Sequence, residues 1–179
     1  MMRKATPDDI DIMTDIYNES IREGGFTGDL EPLSLENRRS WYWDHQGKYS
    51  IFVKIIEGAV AGYVSLSPYR KGRSAFDGTC EISYYLYRKH RGRGLGAKMI
   101  GYALNMARQS GFRLVVAIVL AINQRSIGIL KKFDFATSGI LPQAAEINGT
   151  HVDHVYLHRL LKESNMVEVA EGIRLLQEA

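Results

Sequence analysis

Apolar residues recur at helical spacing through Ile10, Met13, Ile16, Tyr17 and Ile21. Just ahead of them, Thr6-Pro7-Asp8-Asp9 supplies a hydroxyl cap, a proline at the first helical position and acids in the first turn. The pattern predicts a first helix ending near Gly24-Gly25, preceded by a short edge strand at Arg3 to Ala5. After a loop from Phe26 to Leu33, Ser34 caps a second helix that runs to about His45. It carries Trp41, Tyr42 and Trp43, which are expected to pack in the core or at an interface. The period then changes. Ser50 to Glu57 and Ala59 to Ser67 are apolar runs joined at Glu57-Gly58, a hairpin signal. Asp77 to Tyr87 alternates, with Cys80, Ile82, Tyr84 and Leu86 on one face and Glu81, Ser83, Tyr85 and Tyr87 on the other. Helical spacing returns in Met99, Ile100, Ala103, Leu104 and Ala107. Arg113 to Leu120 is a continuous apolar run of strand length, buried on both faces, which suits a parallel neighbour. Asn123 opens a helix reaching Lys132, and Phe135 to Leu141 and His151 to Leu160 give the last two strands. The order β-α-α-β-β-β-α-β-α-β-β predicts an α/β (α+β) domain, a sheet of about seven strands flanked by helices.

At 179 residues and 45% hydrophobic content the chain has room for one core, over residues 1–161. Residues 162–179 form an extension in which Asn165 caps a helix striped by Val169, Ile173 and Leu176. That helix packs on its own domain or makes a dimer contact, and a homodimer is the expected assembly. No apolar run is long enough to span a membrane, and MMRKATPDD lacks an apolar signal core, so a cytoplasmic protein is expected. The single cysteine, Cys80, excludes an internal disulfide and a cysteine metal site. His154 and His158 share a strand face with Tyr156 while His151 points the other way, so no metal site is expected.

Charge singles out one region. Between Ile82 and Phe133 lie ten of the 23 basic residues and none of the 20 acidic ones. Within it, a strand ending at Tyr87 passes through Arg88-Lys89-His90-Arg91 into Gly92-Arg93-Gly94-Leu95-Gly96 and then into a helix. Glycines admit close backbone approach, and the first N–H groups of a helix are unpaired and carry a partial positive charge. The junction is an anion site reinforced by Arg91 and Arg93. Three readings compete. A basic solvated face above an ordinary turn is the plainest. Gly92, Gly94 and Ala97 also satisfy the dinucleotide fingerprint G-x-G-x-x-A, but no acid stands in Arg113 to Leu120 for a ribose hydroxyl. The third is the diphosphate of an acyl-coenzyme A.

The run Arg91-Gly92-Arg93-Gly94-Leu95-Gly96 resembles the R/Q-x-x-G-x-G/A loop of the GNAT superfamily of N-acetyltransferases. Asn123 with Ser126, and Phe135, match its N-x-x-S/A and terminal aromatic positions. Arg73-Ser74-Ala75-Phe76 followed by Glu81 is most similar to the phosphinothricin and methionine sulfoximine N-acetyltransferase branch. The resemblance implies a mixed, mostly antiparallel sheet and acetyl-CoA as cofactor. It implies Ser83, Tyr84, Tyr85 and Leu86, the loop Arg91 to Gly96, Asn123 and Ser126 as the cofactor side. Glu81 is implied as the base, and Arg73, Arg70 and Phe26 face a small amino-acid-like amine, with neither nucleic acid nor membrane as partner. A free alkylamine titrates near 10, so acetyl transfer needs a group to take its proton. Two departures stand out. Leu130 occupies the place where many relatives carry a tyrosine and the phosphinothricin branch a histidine, and Asp134 that of a glycine. The alternatives are a protein N-terminal (ribosomal-type) acetyltransferase and a non-catalytic acyl-CoA-binding sensor.

Overall fold

The computed structural model describes residues 1–45 and 47–161, so the predicted C-terminal helix lies outside the described residues. Strand β1 (Met2–Lys4) is followed by a short 3-10 turn and helix α1 (Ile10–Glu23), then α2 (Leu35–Trp43). The hairpin β2 (Ile51–Ile56) and β3 (Ala59–Pro68) leads to β4 (Thr79–Leu86). Helix α3 (Leu95–Gln109), β5 (Leu114–Leu120) and α4 (Gln124–Lys132) precede the closing hairpin of β6 (Ala136–Ile147) and β7 (Thr150–Leu160). The seven strands form one sheet in the order β1-β2-β3-β4-β5-β7-β6, antiparallel throughout except where β4 and β5 run parallel.

Two cores sandwich the sheet. One gathers Cys80, Ile82, Met99, Ile100, Val115 and Leu157 around α3 and α4; the other gathers Met13, Ile16, Tyr17, Val53 and Tyr63 around α1 and α2. Every even residue of β4 from Cys80 to Leu86 packs in the first, and Tyr85 and Tyr87 pack against the second, as the alternation predicts. Ser34 caps α2 by accepting the Asn37 N–H at 3.2 Å. Of the three aromatics on α2, Trp41 and Tyr42 pack against the second core, whereas Trp43 is 58% exposed.

The sixth strand runs past its predicted end at Leu141. Pro142 and Gln143 (φ 53°) are absorbed as a register shift between Leu141 and Ala145, and pairing resumes to Ile147↔Thr150. Asn148-Gly149, at φ 51° and 75°, then closes a two-residue hairpin of the kind Asn-Gly favours.

Candidate active site

Strands β4 and β5 are paired only from Thr79↔Leu114 to Glu81↔Val116. Beyond Glu81 each follows its other neighbour, β4 remaining on β3 to Leu86↔Gly62 and β5 on β7 to Leu120↔His154. The sheet therefore splits. The Tyr87 N–H donates to the Ala61 carbonyl at 3.0 Å, which fixes the ladder's alternation and turns the Tyr84 and Leu86 N–H groups away from β3 into the gap. On the far side, Ala121 N–H to Asp153 O at 2.8 Å sets the same alternation and leaves the main chain of Ile118 facing the gap. A cavity of about 450 Å³ fills this opening, walled by Ile82 to Leu86 on one side and Ala117 to Val119 on the other.

The glycine turn forms one end of the cavity. Gly92 (φ 84°) and Gly94 (φ 72°) hold the left-handed conformation that lets the chain turn into α3, with Gly94 as its N-cap. The first intrahelical bond is Lys98 N–H to Gly94 O at 3.2 Å, so the N–H groups of the wall residues Leu95, Gly96 and Ala97 have no partner among the described residues. Arg125, at the start of α4, lines the same end, a cation that the motif did not single out. Arg93 is exposed and off the wall. Arg91 lines the wall, yet its charge is engaged: Nη1 meets Glu23 Oε2 at 2.6 Å, Nε donates to the Leu86 carbonyl at 3.0 Å, and the guanidinium lies 4.6 Å from the Phe26 ring centroid. Arg91 thus braces the turn against the end of α1, and Phe26 joins the cavity wall beneath it.

Asn123 acts as a helix cap, its Oδ1 accepting the Ser126 N–H at 3.1 Å. Ser126 in turn hydrogen-bonds the Tyr84 hydroxyl, tying β4 to α4 across the gap. Leu130 is fully buried in the same wall. Asp134 takes φ 58°, the left-handed turn expected where the resemblance has glycine.

Glu81 sits in the last paired register before the split and is half-buried; the cavity wall on β4 begins at the next residue, Ile82, and does not include Glu81 itself. Burial raises its carboxyl above the usual carboxylate range. Arg70 and Arg73 lie on the exposed loop that precedes β4 and do not reach the cavity wall; Arg70 stacks 5.2 Å from the Tyr69 ring centroid. Neighbouring Lys71 pairs with Asp44 at 2.8 Å, anchoring that loop to the end of α2.

On the face of the sheet that bears Glu81 there is a cluster that sequence reasoning missed. Arg38, 4% exposed, stacks on Trp41 at 3.8 Å and donates to the Tyr63 hydroxyl at 3.0 Å; Tyr85 packs edge-on to Tyr17 at 4.8 Å. His45 bridges the Trp41 carbonyl and the Ser67 hydroxyl. The signal was available in part, since Arg38, Trp41 and His45 share one helical stripe. Among the described residues no group of three histidines, cysteines or carboxylates is placed to hold a metal. No helix there is long and apolar enough to cross a membrane.

A ligand with an anion at one end and amides along its length fits these residues. The unpaired amides of α3 suit a diphosphate, and the open edges at Tyr84, Leu86 and Ile118 suit an amide-bearing arm. The comparisons agree. Residues 12–135 match the acetyltransferase (GNAT) family. The L-methionine sulfoximine/L-methionine sulfone acetyltransferase of Pseudomonas aeruginosa is 30% identical over 144 residues, covering 79% of this chain and 83% of that protein. The phosphinothricin N-acetyltransferase of Streptomyces viridochromogenes is 29% identical over 151 residues, 83% of this chain and 80% of its own. Among solved structures, a GNAT phosphinothricin acetyltransferase from Sinorhizobium meliloti in complex with acetyl-CoA superposes with TM-score 0.87 at 27% identity, over 93% of this chain and 90% of that one. A ribosomal-protein-alanine N-acetyltransferase from Brucella melitensis does so with TM-score 0.85 at 26% identity, over 90% and 99%. With the forked sheet, the glycine turn and these matches together, the chain belongs to the GNAT family of acetyl-CoA-dependent N-acetyltransferases.

Proposed function

We propose that the enzyme acetylates the primary amine of a small amino-acid-like acceptor by direct attack, with Glu81 taking the proton from the ammonium. The observation that carries the reading is the position of Glu81 in the last paired register before β4 and β5 part, one residue before Ile82, where the cavity wall on β4 begins. Acetyl-CoA supplies an activated acetyl thioester and a thiolate that leaves without help, since thiols ionise near 8.5. The chain supplies the rest. The N–H groups of Leu95, Gly96 and Ala97, with Arg125, hold the diphosphate end. The N–H groups of Tyr84 and Leu86 are the donors within the gap for an oxygen that gains charge. Glu81, its carboxyl raised by burial, is closer to the amine in proton affinity than an exposed glutamate and so is the stronger base. Cys80, its thiol pushed up to about 12 by burial, is a poor nucleophile, which favours a ternary complex over an acetyl-enzyme. Relatives named for methionine sulfoximine, methionine sulfone and phosphinothricin support an acceptor with an α-carboxylate, for which Arg73 is the candidate clamp.

Thiol release from acetyl-CoA with L-methionine sulfone as acceptor tests this. Glu81→Gln is expected to lower kcat/KM by about a hundredfold or more at unchanged acetyl-CoA affinity. Activity at the wild-type level would remove Glu81 from its role. The likeness to a ribosomal-protein-alanine N-acetyltransferase favours a second acceptor class, peptide N-termini. A panel of both separates them, and turnover of peptides alone would overturn the small-acceptor reading.

A further inference from the structure

The hydrogen bonds of His45 have a fixed direction. Its Nδ1 lies 2.7 Å from the Trp41 carbonyl, which only accepts, so Nδ1 carries a proton. In the neutral ring Nε2 is then bare, and at 2.8 Å it accepts the hydroxyl proton of Ser67. The surroundings as a whole favour the neutral ring. It is 6% exposed, and desolvation lowers its pKa. The Trp41 carbonyl and Asp44 pull the other way, but Asp44 is already paired with Lys71, and the cations Arg38 on α2 and Lys71 on the loop before β4 oppose a further charge, so the net shift is downward. With its only proton committed to His45, Ser67 has nothing left to donate. Its free lone pairs can only accept.

Ser67 stands directly opposite Glu81 in the β3–β4 ladder, so the two side chains rise from the same face of the sheet. Directly opposed residues have Cβ atoms about 5 Å apart, within reach of a glutamate's length. A carboxylate gains nothing from an acceptor beside it, whereas a carboxylic acid gains a hydrogen bond. We infer that His45 is a positioning residue that holds Ser67 as a dedicated hydrogen-bond acceptor for the protonated form of Glu81, making Glu81 a stronger base. The inference rests on Glu81 being the base of the proposed reaction. No proton travels to His45. The ammonium proton moves to a Glu81 oxygen, and that O–H donates to Ser67 Oγ while Ser67 keeps donating to Nε2.

Because an acceptor favours the protonated carboxyl, losing it must lower the pKa of Glu81. His45→Asn keeps a donor for the Trp41 carbonyl but no acceptor at the Nε2 position, whereas His45→Gln keeps an acceptor there. The side-chain carboxyl of Glu81 is titrated by 13C NMR in protein labelled at glutamate, with Glu81→Gln identifying the signal, and this reads the effect without turnover. Ser67→Ala and His45→Asn are expected to lower the Glu81 pKa by about half a unit or more, with His45→Gln close to wild type. The acid limb of kcat/KM against pH, taken with acetyl-CoA and L-methionine sulfone throughout, is expected to move the same way. An unchanged Glu81 titration in folded Ser67→Ala overturns the inference, as does a His45→Gln indistinguishable from His45→Asn. The two readings fail separately. Full activity in Glu81→Gln removes the base, while an inactive Glu81→Gln beside unshifted Ser67 and His45 variants removes only the positioning.

Discussion

Cys80 lies one residue from the proposed base, and its environment decides what it can do. The side chain has no exposed surface and burial pushes its thiol up to about 12, so the thiolate is scarce at any physiological pH. The native protein should therefore leave Cys80 unlabelled by a thiol reagent at pH 8, with labelling appearing only in denaturant. Rapid labelling of the folded protein would reopen a covalent route. Strand alternation made this residue legible: it placed Cys80 with Ile82, Tyr84 and Leu86 on the face against α3, and Glu81 opposite. Arg91 was legible only in part. Its motif position gave the glycine turn correctly, but its charge is engaged by Glu23, a partner far away in sequence that no local pattern names. Arg125 escaped for the reverse reason, because it reaches the turn from a different helix.

At the level of elements, the start of α1 is tied to β1 by one carboxylate. Asp9 receives Arg3 through two bonds, at 2.6 and 2.8 Å, and the Thr6 N–H at 2.8 Å, closing the capping box that Thr6 opens. Asp9 is 5% exposed; burial by itself raises its carboxyl, but the bonds from Arg3 and Thr6 outweigh this and hold it below the usual aspartate range. A group depressed in the folded state stabilises above its unfolded pKa and loses that stability as pH falls through the folded value. Chemical denaturation should show stability falling, as pH drops below the ordinary aspartate pKa of about 4, by more in wild type than in Asp9→Asn. At neutral pH, Asp9→Asn should cost about 1–3 kcal/mol; equal acid sensitivity in both proteins would rule this pair out as the cause. The loop before β4 carries a second expectation. Arg73→Ala should raise KM for an amino-acid acceptor about tenfold, and leave KM for the matching amine without a carboxylate unchanged. An equal rise for both would remove Arg73 from the acceptor site. Element order and caps were readable because both depend on near neighbours. The length of β6 was not, since the shift at Pro142-Gln143 is tolerated only because β7 pairs again beyond it.

Over the whole molecule, the cavity exists because β4 and β5 each stay with their other neighbour, a consequence of non-local register that an alternating pattern cannot announce. It follows that acetyl-CoA should act as a splint across the fork, engaging α3, β4 and β5 together. Binding to the folded state alone stabilises by RT ln(1 + [L]/Kd), about 2.7 kcal/mol at a hundredfold excess over Kd. For a domain of this size that corresponds to a rise in Tm of about 5–10 °C. Hydrogen exchange should show where the gain resides. The amides of Leu95, Gly96 and Ala97 on α3, and those of Tyr84, Leu86 and Ile118, which the ladder alternation turns toward the gap, should slow on binding. The turn from Ile147 to Thr150, at the far end of the closing hairpin, should exchange as before. Gly94→Val provides the control, because a Cβ there meets nothing within 4 Å while the backbone conformation at φ 72° penalises a β-branched residue. That variant should lose most of the thermal shift while its core stays intact. A full shift retained in Gly94→Val, or protection spread evenly over the sheet, would mean that the ligand is held elsewhere than by the glycine turn and the forked strands.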